Sequence, residues 1–174
     1  LLLLLLKYPA MASSTETNVI PASATLPLVY RLSLTTIEPL FAVNGALLVF
    51  RNPGTYLSMM TRDVVLFTAP STFLYTTTGG AWLYFAFVEA VVMRLFDDLR
   101  LWRVLCAGML LSDAAYCHAI AQAVGGWAVY MDVLSWTRDD HAVFWATAPL
   151  VLVRILVVLG VGVKTGSNAR KVKA

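Results

Sequence analysis

Charge is scarce in this chain. Only 13% of its residues are Asp, Glu, Lys or Arg, against roughly a quarter in ordinary soluble domains. A soluble fold of 174 residues would leave long stretches of its surface without polar cover, and a lipid-facing exterior removes that conflict. Histidine and cysteine are scarce too. His118 and His141 are too few and too scattered for a metal motif, and Cys106 and Cys117 share one apolar segment, which does not suggest a disulfide framework. No Asn-x-Ser/Thr sequon, phosphate-binding loop, zinc-ligand spacing or Gly-x-Ser-x-Gly is present, and nothing implies a cofactor. The small excess of base, 13 Lys and Arg against 10 Asp and Glu, does not point to nucleic acid. The basic residues sit mainly beside apolar stretches, where a cytoplasmic membrane face accounts for them.

Apolar residues make up 59% of the chain, and their distribution predicts an all-α integral membrane bundle of four transmembrane helices. A helical span needs about 20 mainly apolar residues. Residues 30–50 form the first span, closed by Arg51-Asn52-Pro53-Gly54. The second centres on 81–96 and begins a few residues earlier. The third is 101–124, ended by Gly125-Gly126. The fourth is 141–163, with Asp139-Asp140 at its start and Lys164 after its end, as the helix dipole favours. Residues 55–78 read as an interfacial or partly re-entrant connection, with a fifth span the alternative. Leu1–Leu6 is too short for a span, and Met11-Ala12-Ser13-Ser14 resembles a translation start, so residues 1–10 read either as upstream sequence outside the native protein or as the remnant of a processed segment, and they stand outside the fold argument. Residues 1–27 read as a flexible leader, 28–163 as the membrane domain and 164–174 as a basic cytosolic tail.

With four spans, one side carries Lys7, Arg31, Arg94, Arg100, Arg103, Lys164, Arg170, Lys171 and Lys173, and the other only Arg51, Arg62 and Arg138. That imbalance predicts both termini in the cytosol. The endoplasmic reticulum is the default membrane, since no other address is legible.

Each span carries an ionisable residue near its middle: Glu38, Glu89, Asp113 and Arg154. Their offsets from the midpoints amount to only ~3–4 Å along the helix axes, so all four lie at one depth. A charge at the bilayer centre costs at least ~2.5–3.5 kcal/mol, which predicts that the four turn inward and meet. Arg31, Thr35, Glu38, Ala42 and Gly45, at alternating spacings of four and three, form one polar or small stripe on span 1. Pro39 removes the amide that would bond the carbonyl of Thr35. Three acids face one base, so at least one carboxyl is expected to carry a proton. A protonated acid beside an ionised one is a usable acid–base pair. The alternative is that each acid is simply tied to Arg154 and fixes helix register. Tyr116 and Cys117 share the face of Asp113, whereas His118 lies about 140° around the helix. Tyr116 and His118 are weaker candidates for hydrogen bonding or proton transfer.

The segments Tyr30-Arg31, Ile37-Glu38-Pro39-Leu40, Gly45, Asn52-Pro53 and Tyr56-Leu57 resemble the opening of a fungal family of small four-span membrane proteins of unknown function. Glu89 to Asp98, Leu101-Trp102-Arg103 and Leu110-Leu111-Ser112-Asp113 resemble its second half. The resemblance spans residues 27–160. That family in turn is similar to the small membrane hydrolases of aurovertin- and citreoviridin-type polyketide pathways. The resemblance implies a hydrolase or cyclase that opens an epoxide of a lipophilic polyketide in secondary metabolism. On that reading Glu38 and Asp113 are the acid–base pair, Glu89 tunes them, and Arg154 is the counter-charge. In the family pattern a His follows the span 3 Asp by three residues. Tyr116 stands there instead, which places any histidine base in doubt. The implied partners are a lipophilic small molecule, the bilayer, and further copies of the chain or other pathway enzymes. A non-catalytic scaffold or partner subunit, a small carrier and a small isomerase or terpene cyclase are the competing readings.

Overall fold

The computed structural model describes residues 19–164. Among them 81% are helical and none lies in a strand, so the expected all-α class holds. Among the described residues five longer helices build the bundle. Helix α1 is Leu28–Arg51 and α2 is Pro53–Thr61. Helix α3 covers residues 72–95, α4 is Leu99–Ala123 and α5 is Arg138–Leu159.

The boundaries follow local chemistry. Pro53 opens α2 at its first turn, where its missing amide costs nothing. Arg62 and Asp63 end it, both with left-handed backbones (φ 53° and 61°). The Asp98 side chain caps α4 by accepting from the Arg100 amide at 2.8 Å. Gly125 and Gly126 close α4 at φ 102° and 117°, a conformation that suits glycine. Thr137 and Asp140 form a reciprocal capping box at the start of α5.

Three helices, α1, α4 and α5, are long and apolar enough to cross a membrane. Helix α3 was expected to be the fourth. It is of similar length, but Thr76-Thr77-Thr78-Gly79-Gly80 dilute its first half, and it falls outside that set. Large apolar side chains nonetheless point outward on every long helix, among them Leu40, Phe87, Leu111, Trp145 and Leu152. That is the reverse of a soluble protein's economy, and it is compatible with a membrane protein.

Residues 55–78 contain no fifth span among the described helices. Helix α2 has nine residues, and the chain then runs non-helically to a short 3-10 turn at Ala69–Ser71. Arg62 Nε pairs with Asp140 Oδ2 at 3.0 Å, tying the end of α2 to the start of α5.

The two described chain ends meet at one end of the bundle. The Lys164 amide donates to the Thr25 carbonyl at 3.0 Å, and the Leu99 amide to the Ile20 carbonyl at 2.9 Å. Here Ala22, Leu26, Leu34, Met93, Leu99, Trp102, Cys106 and Val157 form the apolar core. The expected leader through residue 27 therefore needs correction. Residues 20–27 are folded into this end, with Ala22 and Leu26 buried and Ser23 hydrogen-bonded to the Asp97 carboxylate. Trp102 is buried and donates to the Met93 and Phe96 carbonyls at 2.9 and 3.0 Å. The expectations for residues 1–18 of the leader and for the basic tail beyond Lys164 lie outside the described residues.

Gly79 lets α3 approach α1. A methyl group there would overlap the Phe50 ring and stand 2.9 Å from Val49 Cγ2, whereas at Gly80 nothing lies within 4 Å. Gly79→Ala is expected to destabilise the protein by ~1–3 kcal/mol through overpacking. Gly80→Ala is expected to be neutral or slightly stabilising. Thermal melting in detergent, followed by tryptophan fluorescence, checks the contrast.

Candidate functional site

The four mid-span ionisable residues converge. Arg154 on α5 donates through Nη1 to Asp113 Oδ2 on α4. Its Nη2 donates to Glu38 Oε1 on α1 and, at 3.1 Å, to Glu89 Oε1 on α3. One guanidinium thus joins four helices, using its planar fork to face different acids with different nitrogens. Glu89 is completely buried, at 0% exposure; Glu38 and Arg154 are nearly so. Asp113 is the most open of the three acids, its side chain 20% exposed.

Local backbone irregularity presents two of the acids. A π-helical turn over Ser33–Ile37 precedes Glu38, whose amide reaches back five residues to the Ser33 carbonyl. Pro39 accounts for it: without an amide, it cannot continue regular α bonding across this turn. The Thr35 hydroxyl folds back onto the Arg31 carbonyl at 2.8 Å. A second π turn, Val88–Val92, contains Glu89, and the Met93 amide reaches back to Val88. Such bulges occur often at functional sites. The two turns face each other across the α1–α3 contact and bring both glutamates to a single nitrogen.

The cluster lines one end of a cavity of about 380 Å³, within the range of small-molecule sites. Its walls are largely apolar. They include Phe41 and Leu48 of α1, Trp82 and Phe85 of α3, and Leu150 and Val151 of α5; Tyr56, Met59 and Met60 of α2 also line it. Glu38 Oε2, Glu89 Oε2 and Arg154 Nε are buried without a hydrogen-bond partner, so the cluster retains unused donor and acceptor capacity. Among the described residues no group of His, Cys, Asp and Glu is placed to hold a metal ion.

The weaker candidates separate. Tyr116 lines the cavity, but its hydroxyl points to Met60 Sδ at 3.8 Å and not to Asp113. His118 is not among the lining residues. It is exposed and stacks on Trp127 with ring centroids 6.0 Å apart. Other side chains acquire a place at the site that their sequence context did not suggest. Trp82 lies over Gly45, where a methyl group would meet its ring at 3.0 Å, and packs edge-on against Tyr56 at 5.6 Å. Asn44 also lines the cavity, as does Cys117, whose place on the Asp113 face was expected. No sequence signal marked α2 as a wall. Because the Tyr116 hydroxyl bonds only to sulfur, Tyr116→Phe is expected to change stability by less than ~1 kcal/mol. A melting curve beside the parent's checks this.

A family model described as a domain of unknown function, DUF7704, matches residues 23–164. The chain belongs to that family. The DUF7704 match takes in all five helices and all four members of the charged cluster. No curated protein and no solved structure matches the chain.

Proposed function

We propose that this DUF7704 protein is a four-span membrane enzyme that opens an epoxide on a lipophilic polyketide, by hydrolysis or by cyclisation. On this reading α3 is the fourth span, and both termini face the cytosol from the endoplasmic reticulum membrane. The weight of Lys and Arg on the side of the termini supports that orientation. The carrying observation is the convergence of three carboxyls on Arg154 at one end of an apolar-walled cavity. A lipophilic substrate enters such a cavity from the bilayer and meets ionisable groups only at its end.

One guanidinium balances one carboxylate, so charge balance within the membrane is restored by protons on the remaining acids. Glu38 and Asp113, on opposite nitrogens of Arg154, divide the work. One donates a proton to the oxirane oxygen as the carbon–oxygen bond breaks. The other takes a proton from water, or from a hydroxyl of the substrate, as that oxygen bonds to carbon. Proton return between the two acids restores the site. Glu89, fully buried, sets the charge of the cluster, and Arg154 holds the acids in place.

The test supplies an epoxidised polyene to microsomes containing the protein. Hydrolysis yields a product heavier by one water; cyclisation or isomerisation yields a product of unchanged mass. Identical substrate consumption in microsomes with and without the protein overturns the proposal.

A second reading has an observation of its own. Every acid in the cluster already binds Arg154, which is what a lock fixing helix register in a non-catalytic scaffold or partner subunit requires. A stoichiometric partner that co-purifies with the protein and is lost when Glu89 is changed favours that reading.

A further inference from the structure

A second concavity, of about 410 Å³, lies between α1 and α3. It shares no lining residue with the cavity above the charged cluster. Leu40, Val43, Leu83 and Phe87 line it, and all four are exposed, so in a bilayer it is a lipid-facing groove. Thr36 and Arg94 mark one end of it, where the Arg94 guanidinium donates to the Thr36 hydroxyl at 2.9 Å.

Arg94 is exposed and lies five residues past Glu89, about 7 Å along the helix. Among the described residues no carboxylate pairs with it. The nearest acids in sequence are engaged elsewhere: Asp97 accepts from Ser23 and Asp98 caps α4. A guanidinium on a lipid-facing surface is costly without a counter-ion, and its planar fork suits phosphate. Arg31, at the same end of α1, has a buried Nε with no partner. Arg100 and Arg103 begin α4 at this end too, so the local field is positive.

We propose that the groove binds one anionic glycerophospholipid, with its phosphate on Arg94 and an acyl chain along Leu40, Val43, Leu83 and Phe87. This site is separate from the charged cluster and stands or falls independently of the catalytic reading. Charge complementarity selects an anionic headgroup, and the apolar groove selects a lipid over a free anion.

Native mass spectrometry of the full chain in mild detergent tests the proposal, with dioleoyl phosphatidylserine, dioleoyl phosphatidylcholine and inorganic phosphate as probes. The expected result is one phosphatidylserine retained per chain and weaker retention of phosphatidylcholine. Arg94→Gln is expected to weaken lipid binding about tenfold, the loss of one charge-assisted contact, and Arg94→Lys by less. Val43→Trp narrows the groove from an exposed edge, leaves Arg94 intact, and is expected to lower retention as well. If Arg94→Gln fails to fold, Arg94→Lys and Val43→Trp carry the test. Parental binding by the Arg94 and Val43 variants, equal retention of the two lipids, or displacement of the lipid by inorganic phosphate each overturns the proposal.

Discussion

Arg154→Met is expected to reduce the accumulation and the melting temperature of folded protein sharply. The guanidinium is the one partner common to Glu38, Glu89 and Asp113. Without it three acids face one another with no countercharge. Removing one partner of a buried ion pair costs ~3–5 kcal/mol, and here three acids lose the same partner. Total stabilities of single domains are only ~5–15 kcal/mol, so the loss consumes much or all of the margin. Arg154→Lys is expected to fall between parent and Met. An ammonium restores the charge but lacks the two-nitrogen fork that reaches Asp113 from one side and the glutamates from the other. Gel filtration of a fluorescent fusion, followed by melting of any monodisperse peak, measures both variants. Parental accumulation and melting of Arg154→Met contradict this view of the cluster.

Asp113→Asn and Glu38→Gln are expected to reduce epoxide opening by ~10²–10⁴-fold, the usual contribution of a positioned acid or base, without loss of fold. Each amide keeps an acceptor oxygen for Arg154. In a cluster where one carboxylate balances Arg154 and the other acids carry protons, each amide takes the place of a neutral acid and leaves the charge balance intact. Stability is therefore expected to hold while turnover falls. Glu89→Gln is expected to lower turnover less, because the Glu89 carboxyl is fully buried and acts through its neighbours. The measurement is turnover in microsomes normalised to folded protein, beside melting of the same variants. Parental turnover in Asp113→Asn and Glu38→Gln removes both assignments. Reduced stability with parental turnover instead identifies the cluster as a structural lock.

The meeting of Glu38, Glu89, Asp113 and Arg154 was legible in the sequence because membrane depth is a one-dimensional coordinate. Helical rise converts residue number into depth, and the energetic cost of exposed charge turns the four side chains inward. Pro39 likewise forecast an irregular turn before Glu38, since a missing amide is a local defect. The π turn around Glu89 left no such mark: Val88 to Val92 contains neither Pro nor Gly, and its backbone is settled by packing against α1. The roles of Tyr56, Met60 and Trp82 in the cavity wall were hidden for a similar reason. Helix α2 has no span-length apolar pattern, and only tertiary contact decides where so short a helix rests. The burial of Ala22 and Leu26 was missed because a Ser- and Thr-rich composition suggests solvent, whereas Ser23 finds its partner in Asp97, 74 residues away.

Double-mutant cycles between Arg154 and each acid measure the central claim most directly. The claim is that one guanidinium on α5 holds carboxyls from α1, α3 and α4 in a single enclosed cluster. Pairing Arg154→Met with Glu38→Gln, Glu89→Gln or Asp113→Asn, and finally with all three, is expected to restore much of the stability lost in Arg154→Met, with coupling energies of about 0.5–3 kcal/mol per pair. Strictly additive losses, with the fully neutral quartet no more stable than Arg154→Met alone, would contradict it.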